Sequence, residues 1–283
     1  MKEFDGKILG AVMGDVLGSP YEWDEVINRH FPLLNKECRY TDDTVMTMAV
    51  MEWLLQSVDG GEEALTEKSL ADLFRKWGRR YPRAGYGSRF RRWLMSDEYK
   101  PINSFGNGSG MRVSPIGWWF NNKEDILKYA ERSAVVSHNH EEGIKGAQSI
   151  ALAIYEARNK TPRHEIAKEI AERFGYNLKR SVDDIKPTYK FDATCQGSVP
   201  ESIVCFLESR DVESVIISAI YLGGDTDTMA NMAGAIAESR YGIDSASEPV
   251  REFVWNRLTE PMKEIITKFS QAVADRLNKK NQD

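Results

Sequence analysis

Apolar residues recur at helical spacing through 44–55 (TVMTMAVMEWLL), 144–158 (IKGAQSIALAIYEAR), 165–174 and 250–277, whereas the strict alternation of half-buried strands is scarce. A chain patterned this way must bury helix faces against other helices, so an all-α fold is expected. Its 283 residues, 41% of them hydrophobic, suffice for one large core or two modest ones. No internal repeat, low-complexity block or proline-rich linker divides it, which predicts a single domain over 1–283. Only the terminal NKKNQD reads as frayed.

Composition narrows the functional classes. The N-terminal MKEFD lacks the apolar core of a signal peptide, and no apolar run approaches bilayer length, so a cytoplasmic protein with no membrane association is expected. Cys38, Cys195 and Cys205 are odd in number and have no CxxC spacing, which argues against a disulfide framework or a zinc ribbon. A net charge of −5 opposes general nucleic-acid binding, which relies on a broad positive field. The stretch 74–93, FRKWGRRYPRAGYGSRFRRW, runs against that balance with eight basic residues, six aromatics and no acid. It reads either as a cationic surface for a phosphate-bearing target or as helix faces with solvated arginines and inward aromatics.

Glycine-rich and polar loops punctuate the helices at GDVLGSPYEW, RYTDDT, GYGSRF, SFGNGSGMRVSPIG, ATCQGSVP and LGGDTDT, and such loops on a rigid scaffold tend to carry chemistry. Thr41, Asp42, Asp43 and Thr44 open directly into an amphipathic helix. A helix cap needs one such side chain, and here two carboxylates and two hydroxyls follow in succession. Asp225, Asp227 and Thr228 repeat the chemistry at the start of another helix, ahead of the small residues Ala230, Ala233, Gly234, Ala235 and Ala237. Adjacent carboxylates repel, and a divalent cation with a preference for hard oxygens resolves the repulsion. Two oxygen-rich helix starts therefore suggest one shared site for a pair of Mg²⁺ or Mn²⁺ ions, which in hydrolytic sites lie about 3.5–4 Å apart. Zinc is disfavoured because thiolates and histidines are not clustered there.

Several motifs in order, GAVMGDVLGSPYEW (10–23), YTDDT (40–44), GYG (85–87), SFGNGSGMRVSPIG (104–117), SHNHEEGIKGAQSIALAIY (137–155) and LGGDTDTMANMAGAIAESRYG (222–242), give the chain a resemblance to the ADP-ribosylglycohydrolase family. The resemblance covers nearly the whole chain. It implies a compact all-α orthogonal helical bundle around a central binuclear metal cleft. Thr41, Asp42 and Asp43 would bind one metal, Asp225 and Thr228 the other, and Asp227 would bridge.

The resemblance further implies that Glu22 is a movable acid beside the metals, and its neighbours Tyr21 and Trp23 are expected to raise its pKa. Glu22, Asp42 and Asp43 are the candidate catalytic carboxylates, unranked as base. Ser104, Phe105, Gly106 and Asn107 would line the ADP-ribose groove, with Phe105 where the family often stacks an aromatic on adenine. Gly85 and Gly87 would shape the groove and His138 would lie near it, whereas His140 reads as a surface residue. Asp15 is expected to support the metal ligands from behind.

The reaction so implied is hydrolysis at C1″ of the distal ribose of ADP-ribose, N-glycosyl or O-glycosyl, and reverses protein mono-ADP-ribosylation. Alternatives are a hydrolase of a small ADP-ribose derivative or nucleotide-linked ribose, and a non-catalytic ADP-ribose-binding or crystallin-like relative. A monomer is expected, and nucleic-acid-linked ADP-ribose stays open as a substrate.

Overall fold

Two glycine- and alanine-rich segments, far apart in sequence, set the architecture. The computed structural model describes residues 2–22, 26 and 28–280. Among these the chain forms helices α1 (Gly10–Gly18), α2 (Asp42–Gly60), α3 (Glu67–Arg80), α4 (Ser88–Met95) and α5 (Gly108–Met111). It continues through α6 (Ser114–Trp119), α7 (Lys123–Val135), α8 (Glu141–Arg158), α9 (Arg163–Phe174) and α10 (Val182–Ile185). The last third holds α11 (Cys195–Glu208), α12 (Val212–Leu222), α13 (Thr226–Tyr241), α14 (Glu248–Trp255) and α15 (Glu260–Lys280). No strand occurs among the described residues, and one isolated antiparallel bridge joins Gly106 to Thr194.

Helix α13 is the central element, packed by α1, α8, α11 and α12. Residues 226–239 are buried without a break, as is all of α1, so neither helix has the polar stripe of a surface helix. Their contact is backbone to backbone. A Cβ on Gly10 would overlap the carbonyl oxygen of Gly234, one on Gly14 that of Ala230, and one on Gly18 would lie 2.6 Å from that of Thr226. The partners step by four residues in opposite senses, so the helices run antiparallel with glycine or alanine at each crossing turn.

Side chains close this pair at both ends. The Glu238 carboxylate accepts the N–H groups of Leu9 at 2.8 Å and Gly10 at 2.7 Å, which satisfies donors left unpaired at the start of α1. At the other end Thr226 Oγ1 donates to Gly18 O at 2.9 Å. The start of α13 is thereby fixed beside the end of α1.

The periodic segments lie within helices with one exception. The run 250–277 is divided, because α14 ends at Trp255 and α15 starts at Glu260. Pro261 lacks an N–H and so cannot continue a helix running in from α14, but its fixed φ suits a first turn, where the chain restarts with Thr259 O accepting from Met262 and Lys263. The tail is helical through Lys280, and the last three residues lie outside the described ones.

The arginine-rich stretch folds as α3, a turn and α4. Phe74, Trp77, Tyr86, Phe90 and Trp93 are buried while most of the arginines are exposed, which matches the reading of solvated arginines over inward aromatics. Arg75 is the exception, buried with its guanidinium 4.5 Å from the Trp93 ring centre and 4.7 Å from that of Tyr99.

The Gly14 crossing leaves no room for relaxation by a flexible side chain, since the obstacle is backbone. Gly14→Ala is expected to lower unfolding free energy by about 3 kcal/mol, read from urea denaturation. A loss no larger than that of an exposed Gly87→Ala control would contradict the contact.

Candidate active site

The α1–α13 pair carries Asp15 and Asp227 to the floor of one cleft, and α2 adds Asp43. Asp15 is fully buried and accepts four hydrogen bonds: from Thr41 N at 2.9 Å, Thr41 Oγ1 at 2.6 Å, Thr44 N at 3.0 Å and Thr44 Oγ1. It therefore anchors the first turn of α2 onto α1. Hydrogen bonds to a charged group contribute roughly 1.5–3 kcal/mol each, which offsets much of the cost of burying this carboxylate. Asp15 thus sits behind Thr41 and Thr44 and holds the first acidic loop in place.

Asp43 is arranged differently. Its Oδ2 lies 3.2 Å from Thr41 Oγ1 and 3.3 Å from Thr228 Oγ1, and its buried Oδ1 has no hydrogen-bond partner among the described residues. Thr41 has one hydroxyl hydrogen, directed at Asp15. The approach of Asp43 to the same oxygen is balanced only by a proton on Asp43 or by a cation.

The second acidic loop turns through Gly223 at φ +88° and Gly224 at φ +78°, a left-handed pair that glycine adopts without strain. Asp225 follows at the N-cap position of α13, yet its side chain makes no capping bond. Its Oδ2 accepts from Asn107 Nδ2 at 2.7 Å across the cleft. An aspartate that forgoes the nearby backbone donors is placed for something other than a cap.

Two groups of carboxylates result. Oxygens of Asp15, Asp43 and Asp227 lie within 4.8 Å of one another, as do those of Glu22, Asp225 and Asp227. Asp227 belongs to both. Burial, then the neighbouring carboxylates, raise the pKa of Asp43 and of Asp227 well above the usual carboxylate value. Burial first and then Asp15 push Asp42 up to about 8. Such clustering marks functional sites because burial without a counter-charge is unfavourable. The donors are hard oxygens, one of them orphaned, and this set fits Mg²⁺ or Mn²⁺ better than a thiophilic ion. Asp42, half-buried in the cleft wall, belongs to neither threesome, but its carboxyl feels the charges of Asp15, Asp225 and Glu22.

Above this floor lies a cleft of about 420 Å³, a size typical of small-molecule sites. Glu22, Gly85, Gly87, Ser104, Gly106, Asn107 and His138 all line it. A Cβ on Gly85 would lie 3.1 Å from Asp42 Oδ1, so the GYG turn sits against the first acidic loop. The glycine loop is clamped at both ends: Asn107 N donates to Ala193 O and Cys195 N to Phe105 O, each at 2.9 Å. Ser137 O accepts Ile102 N at 3.2 Å and Ser104 N at 3.4 Å.

Two placements differ from the sequence reading, and one flanking residue of Glu22 is not described. Phe105 is exposed, edge-on to His140 with ring centres 5.3 Å apart, and is not among the residues of the cleft wall. His140 is half-buried rather than on the surface, and its Nδ1 accepts Glu142 N at 3.1 Å as the N-cap of α8. Glu22 follows the short 3₁₀ turn at Ser19–Tyr21, while Trp23, expected to flank it, lies outside the described residues.

Sequence reasoning missed Phe191 and Arg112 in the cleft wall, whereas Arg83 and Arg89, which also line it, belong to the basic stretch 74–93 with its alternative reading as a cationic surface. The signal for Arg112 was a basic residue inside the apolar run MRVSPIG. Phe191 carried no comparable signal.

The chain belongs to the ADP-ribosylglycohydrolase family, whose model matches residues 2–282. Membership supports glycosyl hydrolase activity on ADP-ribose. Among curated proteins it is similar to ADP-ribosylhydrolase ARH3 of Danio rerio, 28% identical over 317 residues that cover 87% of this chain and 84% of that protein. Human ADP-ribosylhydrolase ARH3 is likewise 28% identical, with 88% of each chain covered. An uncharacterized protein of Archaeoglobus fulgidus is 26% identical over 83% of this chain and 86% of its own length. A solved ADP-ribosylglycohydrolase-related protein complex shares the fold, with a TM-score of 0.70 over 96% of both chains at 23% identity. No helix among the described residues is long and apolar enough to cross a membrane.

The raised carboxyls give a pH signature once divalent ions are chelated. The folded chain holds protons on Asp42, Asp43 and Asp227 that the unfolded chain releases near pH 4, so stability should fall as pH climbs from about 4 to about 8. Asp43→Asn removes one repelling carboxylate. In chelator at pH 8 it should melt about 3 °C higher than the parent and show a shallower pH slope. Identical slopes for parent and variant would refute the repulsion.

Proposed function

We propose that the chain is a Mg²⁺- or Mn²⁺-dependent hydrolase that cleaves the C1″ glycosidic bond of ADP-ribose conjugates, with ADP-ribosylated protein as the principal substrate. The observation that carries this reading is the pair of carboxylate groups sharing Asp227 at the foot of the cleft. Thr41, Asp42 and Asp43 would hold one ion and Asp225 and Thr228 the other, with Asp227 shared, and Asp15 would orient Thr41 from behind. When bound, the ions supply a grip on the ribose hydroxyls and an acidified water.

The protein side chains do the rest. The clamped loop from Ser104 to Gly108 offers close backbone approach to a diphosphate, and Asn107 ties it to Asp225, so the substrate groove and the acidic floor hold one geometry. Glu22, Asp42 and Asp43 all line the cleft, and proton transfer at the scissile bond falls to one of these three carboxyls. A relative freed from catalysis would be under no pressure to keep mutually repelling carboxylates in its interior, and this favours the enzyme over a binding module or a structural protein.

The test is release of ADP-ribose from arginine-, serine- and nucleic-acid-linked conjugates, with and without Mg²⁺ or Mn²⁺. Activity on a protein-linked conjugate that vanishes with chelator is expected. Binding of ADP-ribose with no release from any conjugate would establish the binding-module alternative instead. In the same assay Asp227→Asn should lower kcat by about 10³-fold or more, and Thr41→Ala by about tenfold. Equal, small losses would contradict the shared position of Asp227.

A further inference from the structure

We propose that Arg112 and Ser137 are positioning residues that fix His138 as its Nε2–H tautomer, so that the ring donates to an anionic ligand oxygen over the turn at Gly106 and Gly108. Arg112 lies fully buried under the cleft. Its Nη2 donates to Ser133 O at 3.1 Å and to Ser137 Oγ at 2.9 Å. A guanidinium has no acceptor, so Ser137 Oγ must accept there. The single hydroxyl hydrogen of Ser137 has no acceptor among the described residues other than His138 Nδ1, at 2.8 Å, and is assigned there. That leaves Nδ1 as the lone-pair nitrogen and puts the ring proton on Nε2.

Nε2 faces the space that two glycines leave open. A Cβ on Gly108 would lie 3.0 Å from it and one on Gly106 would lie 3.8 Å away, and no described residue bonds to it. Burial first, then the charges of Arg112 and Arg89, hold the His138 pKa well below its ordinary value, so the ring stays neutral with a single donor.

Arg112 also contributes its charge. The guanidinium lies 4.3 Å from the Phe74 ring centre and 5.6 Å from that of Phe90, and its Nε and Nη1 have no partner among the described residues. Burial lowers its pKa to about 9, which leaves it protonated at neutral pH. An interior cation with no acidic partner favours an anion in the cleft above. The ligand class, a phosphate or diphosphate ester, rests on the reading of this cleft as an ADP-ribose site.

Two-bond ¹H–¹⁵N correlation spectra of the histidine-labelled full chain test the tautomer directly, with His138 assigned by its disappearance in His138→Gln. An unprotonated Nδ1 and a protonated Nε2 are expected. Ser137→Ala should give a mixed tautomer and weaken ADP-ribose binding about tenfold by calorimetry, raising KM with little effect on kcat. In the His138→Gln background, where the amide carries its own donor, the same change should cost less than about twofold. A protonated Nδ1 in the parent protein, or equal losses in both backgrounds, would overturn the relay. The expected spectrum in a protein that fails to bind ADP-ribose would uphold the relay and overturn the substrate reading.

Discussion

Where α1 crosses α13 there are no side chains between the backbones, and the position of each acidic group in the cleft follows from that. The carbonyls of Thr226, Ala230 and Gly234 occupy space that a Cβ at Gly18, Gly14 or Gly10 would need. The contact is short-range and stiff, since backbone cannot rotate away as a side chain can. It places Asp15 on one helix opposite Asp227 on the other. Asp15 in turn holds Thr41 and Thr44, which brings the start of α2 to the same point. A chain of direct bonds thus runs from interhelical packing to the geometry of the cleft floor.

Electrostatics alone would push that floor apart. Asp15, Asp43, Asp225 and Asp227 are all buried, and the bonds that stabilise Asp15 are not matched at Asp43. Two fold-level features reduce the repulsion. The N-termini of α2 and α13 both converge here, each carrying roughly half a positive charge from aligned peptide dipoles. The hydroxyl of Thr228 also reaches the Asp43 carboxylate, at 3.3 Å. Neither supplies a full positive charge, and a divalent cation among hard oxygens does so directly.

The acidic floor was legible in the sequence because it is written in residue types. Two helix starts each offer more carboxylates than a cap uses, so Asp42–Asp43 and Asp225–Asp227 stood out without knowledge of the fold. Helices were legible by period, except where Pro261 restarts α15 after a break that the apolar spacing runs straight through. The antiparallel register of Gly10, Gly14 and Gly18 against Gly234, Ala230 and Thr226 was written in the spacing of small residues, but spacing does not say which helix is the partner. The cleft wall was less readable. Phe191 reaches it only because the backbone bridge between Gly106 and Thr194 joins segments almost ninety residues apart, and Phe105 is turned toward His140 by local packing. The order Arg112, Ser137, His138 depends on the residue after α5 reaching the turn between α7 and α8, which no local pattern encodes.

The central claim is that the buried carboxylates form a metal centre rather than a cluster of protonated acids. Anomalous scattering from crystals grown with Mn²⁺ tests it most directly. Two peaks bounded by the carboxylates of Asp42, Asp43, Asp225 and Asp227 are predicted, with both peaks weakened in Asp227→Asn. A cleft floor without anomalous density at saturating Mn²⁺, or peaks only at surface acids, would contradict the account.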